Sequence, residues 1–158
     1  MACSFCASGL DGLKRNLATW EIVDQILQIQ KFVAPAGERV ANVVYMGIGE
    51  PFHNYDNVLR SIRLANLAEG LGIGMRHLCI STSGLVPQIR QLAQEKLPIR
   101  LAISLHAPNN DLRNQIMPVN KRWPLEELLA ACREYQQATD RRITFEYVLL
   151  NEVNDGLE

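Results

Sequence analysis

Apolar residues along this chain follow two alternating rhythms. Ile22, Val23, Ile26, Leu27 and Val33 recur at helical spacing after Thr19, which offers an N-cap, with Glu21 in the first turn. Pro35 and Gly37 stop that helix. Val40 to Met46 is β-rich and runs into Gly47-Ile48-Gly49-Glu50-Pro51. A second helix, with Asn54 as its candidate cap, carries Val58, Leu59, Ile62, Ala65 and Leu67 until Gly70, Gly72 and Gly74 break it. His77 to Ser81 reads as the next strand, and Pro87 lies in the first turn of a third helix with Ile89, Leu92 and Ala93. Ile99 to Ser104 is a third strand. A short helix is expected over Asp111 to Ile116, and a longer one from Pro124 with Leu125, Leu128, Leu129, Cys132 and Tyr135 on one side. Alternation at Ile143, Phe145, Tyr147 and Leu149 predicts a last strand from Ile143 to Leu150.

Strand and helix therefore alternate with short connections, the pattern of an α/β fold built on a parallel sheet. The series opens in a Cys-containing loop and ends just after a strand, so the expected sheet has unpaired edges, as a piece of a larger barrel or doubly wound sheet would.

Composition narrows the function classes. At 158 residues the chain is one domain's worth, and 47% hydrophobic with 21% charged residues excludes disorder. Sixteen basic against seventeen acidic residues give a net charge of -1, so no global basic field marks a nucleic-acid partner, and any RNA surface must be local. No apolar run has membrane-span length, no signal peptide is expected at Met1-Ala2-Cys3-Ser4-Phe5-Cys6, and a reducing, cytoplasmic setting follows from the cysteine usage.

In parallel α/β architectures chemistry gathers at the carboxyl ends of the strands. Gly49-Glu50, Ser81-Thr82-Ser83, Ser104-Leu105-His106 and the Asn151, Asn154, Asp155 group all fall there. Each has a plain structural reading: Gly49 as a positive-φ turn, Glu50 as a solvated carboxylate, Ser81 and Ser83 as helix caps, His106 as a structural histidine, Asn154-Asp155-Gly156 as a turn. Their convergence weighs more than any one of them.

Cys3-Ser4-Phe5-Cys6 lets two thiolates of one loop reach a single metal centre. Zinc needs four ligands, and no second C-x-x-C or C-x-x-H follows. A redox dithiol belongs at a helix N-terminus, whereas a polar loop from Ala7 to Ala18 separates this pair from the first helix. Cys79 and Cys132 read as buried small hydrophobes.

Seven ordered blocks then carry a resemblance: Cys3-Ser4-Phe5-Cys6-Ala7; Gly12 to Leu17; Met46-Gly47-Ile48-Gly49-Glu50-Pro51; Ile80-Ser81-Thr82-Ser83-Gly84; Ala102 to Asn109; Met117-Pro118-Val119-Asn120-Lys121; and Phe145 to Leu149. With these the sequence resembles, over essentially its whole length, the radical-SAM (S-adenosylmethionine) adenine-C2 methyltransferases of ribosomal and transfer RNA, the RlmN/Cfr family. The resemblance implies a partial (βα)6 TIM-like barrel of the radical-SAM type, truncated at both ends. Residues 1–158 would be its core fragment, lacking the first strand and the last βα unit.

It further implies that Cys3 and Cys6 are two of the three thiolate ligands of a [4Fe–4S] cluster, the third falling two positions before Met1. Gly49 and Glu50 would meet the amino group of S-adenosylmethionine, and Ser81, Ser104, Leu105 and His106 would line the rest of its site. The methyl-carrying cysteine, the general-base glutamate and a further asparagine of the family lie beyond this chain, so no catalytic residue is assigned within it and the fragment alone is expected to be inactive. Ribosomal RNA, and transfer RNA as well, are the implied substrates, with an electron donor such as flavodoxin, no membrane and a monomeric state. Lys14-Arg15 is the best local candidate for RNA contact. Two alternatives stand beside this reading: a radical-SAM enzyme with another substrate, and a non-catalytic metal- or nucleotide-binding α/β module. A cysteine two positions upstream of Met1 separates the latter from both others.

Overall fold

A computed structural model describes residues 1, 3–9 and 12–156. In it β1 (Val43–Tyr45), β2 (Leu78–Thr82), β3 (Arg100–Ser104) and β4 (Ile143–Glu146) form one sheet in the order β1-β2-β3-β4, every neighbouring pair parallel. The helices α1 (Thr19–Val33), α2 (Tyr55–Asn66), α3 (Val86–Gln94), α4 (Asn110–Ile116) and α5 (Leu125–Thr139) complete the expected alternation. Leu10 and Asp11, within the loop predicted between Ala7 and Ala18, lie outside the described residues.

The register explains which strands are central. Ile80 pairs with Leu101, and Leu101 with Ile143, so β2 and β3 are flanked on both edges and hold Leu78, Ile80, Leu101 and Ile103 fully buried. Against them pack Ile62 of α2, Ile89 and Leu92 of α3, and Leu128 and Tyr135 of α5. The buried Tyr135 hydroxyl donates to the Ile99 carbonyl at 2.9 Å, so its polar end is satisfied inside the core. Gly84 permits the close approach of α5 behind β2. It sits at φ +103°, and a Cβ there would meet Leu128 Cδ1 at 3.0 Å.

The outer strands differ. Val44 is 53% exposed and Phe145 45%, the signature of strands with an open side. Beside β1 an apolar groove of about 470 Å³ is lined by Ile26, Ile29, Val43, Val44, Met46 and Ile48.

Several boundaries depart from the sequence reading, each for a local reason. The first helix begins at Thr19 with Ala18 as N-cap, because the Glu21 carboxylate accepts from Ala18 N–H at 2.8 Å while the Thr19 hydroxyl turns to Asn57. Asn54 precedes α2 but sends its amide to the Leu17 carbonyl at 2.7 Å instead of capping. The last strand stops at Glu146, not Leu150. Beyond it Val148 N–H donates to His106 Nδ1, and Asn154 takes the Val148 carbonyl and the Leu150 N–H, so side chains replace the ladder there. Among the described residues no helix is long and apolar enough to cross a membrane.

Candidate functional site

Glu50 ends the segment after β1 and is 8% exposed. It is not a solvated loop carboxylate. Oε1 accepts from Phe52 N–H at 3.0 Å and from the Thr82 hydroxyl at 2.8 Å; Oε2 accepts from Ser83 N–H at 2.8 Å and the Ser83 hydroxyl at 2.7 Å. Three of these four charge-assisted bonds join the end of β1 to the end of β2, and the fourth, from Phe52, is local. An ammonium approaching this carboxylate competes with four donors of the chain itself. Gly49, at φ +114° and exposed, gives the backbone the turn that aims Glu50 inward.

A second carboxylate, which the sequence reading left unassigned within the Phe145 to Leu149 block, does the same on the far side. Glu146 Oε2 accepts from the Ser81 hydroxyl at 2.8 Å and the Ser104 hydroxyl at 3.3 Å, and the Glu146 carbonyl accepts from Leu105 N–H at 2.9 Å. Neither Ser81 nor Ser83 caps α3, because both hydroxyls point at carboxylates. Ser81 and Ser104 commit their protons to Glu146, so towards a ligand they present lone pairs.

His106 stands in the left-handed region at φ +57°, a conformation that only a well-determined surrounding sustains. Asn154 provides part of it. Its amide donates to the His106 carbonyl at 2.8 Å and the Val148 carbonyl at 2.6 Å, and its Oδ1 accepts from Leu150 N–H at 2.6 Å. Asn154 is thus a buried brace and more than a turn former. Val148 N–H donates to His106 Nδ1, which places the neutral ring's proton on Nε2. Burial holds this imidazole below the ordinary histidine range, against an opposing pull from Glu146. The native state therefore resists a proton that the unfolded chain accepts, so stability present above about pH 6.5 declines as the pH falls below it. An NMR titration should place the His106 midpoint below about 6.5; a midpoint above that value contradicts the assignment.

The cysteine pair lies on this same rim. Cys6 N–H donates to the Cys3 carbonyl at 3.2 Å, closing a turn that brings both thiols onto one loop. Ser4 N–H, between them, donates to the carbonyl of Ile116 at 3.0 Å. Cys3 and Phe5 pack against Ala107, Ile116 and Met117, and the Phe5 ring meets His106 edge-on with centroids 5.0 Å apart. Cys3 is half-buried and its thiol is raised by that burial and by Cys6, whereas Cys6 is exposed. Among the described residues no group of three or more His, Cys, Asp or Glu side chains is arranged to hold a metal ion. Two soft thiol donors on one loop suit an iron–sulfur centre that takes its remaining thiolate from elsewhere, and they fit two-thirds of the ligand set that the resemblance implies.

The structure thus gathers Cys3, Cys6, Glu50, Ser81, Ser104, Leu105 and His106 around one strand-end rim. Lys14-Arg15 is a different matter. Arg15 forms a bidentate pair with Glu21, at 2.6 and 2.7 Å, so its charge is occupied within the chain. Cys132 is buried on α5, as expected, and burial pushes its thiol up to about 11. Cys79 is only half-buried within β2.

Comparison with known proteins agrees with this geometry. The chain is 58% identical over 158 residues to the "Probable dual-specificity RNA methyltransferase RlmN" of Symbiobacterium thermophilum, covering 100% of the chain and 42% of that protein. It is 57% identical to the protein of the same name from Dictyoglomus thermophilum, again over its full length and 45% of the relative. A crystal structure of a radical SAM methyltransferase from Sphaerobacter thermophilus superposes with a TM-score of 0.94 at 50% identity, over 98% of this chain and 46% of that one. The chain therefore spans somewhat under half the length of the relatives it matches. Its four parallel strands and their helices are part of the TIM-like radical-SAM fold, a fold that works with a [4Fe–4S] cluster and S-adenosylmethionine. With residues 1–157 matching the radical SAM superfamily and its paired thiols docked on a strand-end rim of carboxylates and hydroxyls, this chain belongs to that superfamily.

Proposed function

We propose that the chain is part of the catalytic core of a radical-SAM methyltransferase that modifies C2 of an adenine in 23S ribosomal RNA and in transfer RNA. One observation carries the cofactor assignment. The rim between Glu50 and Glu146 presents carboxylates and serine lone pairs beside a loop with two thiols. S-Adenosylmethionine brings the complementary groups: an ammonium, a sulfonium and two ribose hydroxyls. The 57–58% identity to proteins named as dual-specificity RNA methyltransferases supports the choice of RNA over other radical-SAM substrates, and over a non-catalytic module.

In this reading Cys3 and Cys6 hold the cluster, with a third thiolate from outside the chain. Gly49 and Glu50 shape the end that receives the amino group, while Ser81, Ser104, Leu105 and His106 line the remainder. When bound, the cluster and S-adenosylmethionine supply one-electron chemistry able to reach an electron-poor aromatic carbon that polar methyl transfer does not attack. The chain's own part is to position the cofactor, exclude water and keep both carboxylates oriented. A one-electron donor such as flavodoxin serves the site, and the protein works as a cytoplasmic monomer. The open sides of β1 and β4 accept further strands from the length by which the relatives exceed this chain, with the groove beside β1 receiving the strand that precedes the cysteines.

The test is anaerobic reconstitution of the full-length protein, incubation with ribosomal and transfer RNA, and mass-spectrometric mapping of methyl groups. The expected product is 2-methyladenine in both RNAs. Methylation at C8, or RNA left unmodified by a cluster-loaded protein, contradicts the proposal.

A further inference from the structure

Arg113, on the short α4, is completely buried. Its guanidinium is held by four acceptors: the carbonyls of Leu105 at 3.0 Å, Ser83 at 2.9 Å and Ser104 at 2.9 Å, and Asn120 Oδ1 at 2.9 Å. All are neutral. Among the described residues no carboxylate forms an ion pair with it; the three ion pairs present involve Arg15, Arg63 and Arg90, all on the surface. A buried cation without a counter-anion is costly, because carbonyl dipoles replace only part of its lost hydration. Burial accordingly lowers its pKa to about 10.

The two ionisable groups whose negative form would favour the Arg113 charge are the thiols of Cys3 and Cys132. Cys132 stays a neutral thiol at physiological pH, because burial raises it to about 11. Cys3 is the one that carries negative charge when it ligates a metal. The same helix that supplies Arg113 also supplies the dock for the cysteine loop, through the Ile116 carbonyl and the Ile116–Met117 apolar patch. The carbonyls that Arg113 gathers belong to Ser83, just past β2, Ser104, which ends β3, and Leu105, which follows it.

We infer that Arg113 is the buried counter-charge of the iron–sulfur site, offsetting the negative charge that the Cys3 and Cys6 thiolates bring and raising the cluster's reduction potential while its hydrogen bonds hold the rim loops in place. This rests on the reading of Cys3 and Cys6 as cluster ligands. In the reduction step the cluster takes one electron from a low-potential donor, its net charge becomes more negative by one, and no proton or bond to Arg113 is involved. A fixed positive charge nearby favours the reduced state.

The experiment is an EPR-monitored potentiometric titration of the full-length, anaerobically reconstituted protein and its R113Q and R113K variants, with iron content measured in parallel. R113Q should shift the midpoint to more negative potential by at least a tenfold change in the reduction equilibrium constant, about 59 mV for one electron. R113K, which keeps the charge but cannot make the four-acceptor fork, should remain close to the wild-type potential. Should R113Q fail to load iron, N120D carries the test: it sets a carboxylate against the guanidinium, and the same negative shift is expected. A loaded R113Q or N120D protein with an unchanged midpoint overturns the inference, as does R113K shifting as far as R113Q. A wild-type protein that binds no cluster overturns the reading of the cysteines and the role of Arg113 together.

Discussion

Replacing Cys3 or Cys6 with alanine in the full-length protein abolishes the visible iron–sulfur absorbance after anaerobic reconstitution and reduces bound iron to background. The expectation follows from ligand count. These two thiols share one turn, and among the described residues no group of three potential ligands stands ready to substitute for either. Fold stability changes little, because Cys6 is exposed and Cys3 only half-buried, with contacts confined to the small Ala107–Ile116–Met117 patch. Circular dichroism and thermal unfolding of the variants should therefore match the cluster-free wild type within roughly 1 kcal/mol. Normal iron content in both variants would remove the cluster assignment.

Glu50→Ala has the largest expected effect on the rim itself. It leaves Phe52 N–H, Ser83 N–H and the hydroxyls of Thr82 and Ser83 without their common acceptor, in a place where water enters poorly. Losing a buried carboxylate that serves four donors costs roughly 2–4 kcal/mol. Glu50→Gln should recover little of this, because its amide nitrogen places donors against donors from either Thr82 or Ser83. S-Adenosylmethionine affinity should fall at least tenfold, about 1.4 kcal/mol, while the cluster persists, since Glu50 touches neither cysteine through a hydrogen bond. Denaturant unfolding and ligand titration on the reconstituted variant check both halves. Unchanged affinity would point to another partner for the ammonium.

These two expectations differ in how far they were legible in the sequence. The cysteine pair is a local motif, and its spacing alone lets both thiols reach one centre. The βα alternation was equally legible, because period-2 and period-3.6 patterns alternate cleanly, with Leu78 and Ile80 of β2 and Leu101 and Ile103 of β3 marking one buried face of the sheet. The role of Glu50 was only half visible. Its position after a strand marked it as a candidate, but its donors on Thr82 and Ser83 lie more than thirty residues away, and nothing local says a loop carboxylate will be buried.

Glu146 was hidden for a related reason. It occupies the outward position in an alternating strand, where a carboxylate ordinarily reads as solvated, and only the sheet register brings Ser104 opposite it. Arg113 lies in a short polar helix whose pattern gives no sign of burial. Its carbonyl acceptors lie at the carboxyl ends of β2 and β3, so tertiary packing alone assigns it. The overextended last strand has the same origin: alternation continues to Leu149, but His106 and Asn154 capture the backbone groups that a neighbouring strand would need.

In the proposed enzyme the Cys3–Cys6 loop and the carboxylate rim serve a single cofactor site. EPR of the reduced cluster, recorded on the full-length protein with and without S-adenosylmethionine, tests this most directly. A clear change in the cluster spectrum on adding S-adenosylmethionine is expected, strongly reduced in Glu50→Ala at the same ligand concentration. A loaded cluster whose spectrum is indifferent to saturating S-adenosylmethionine would show that thiols and rim do not serve one site.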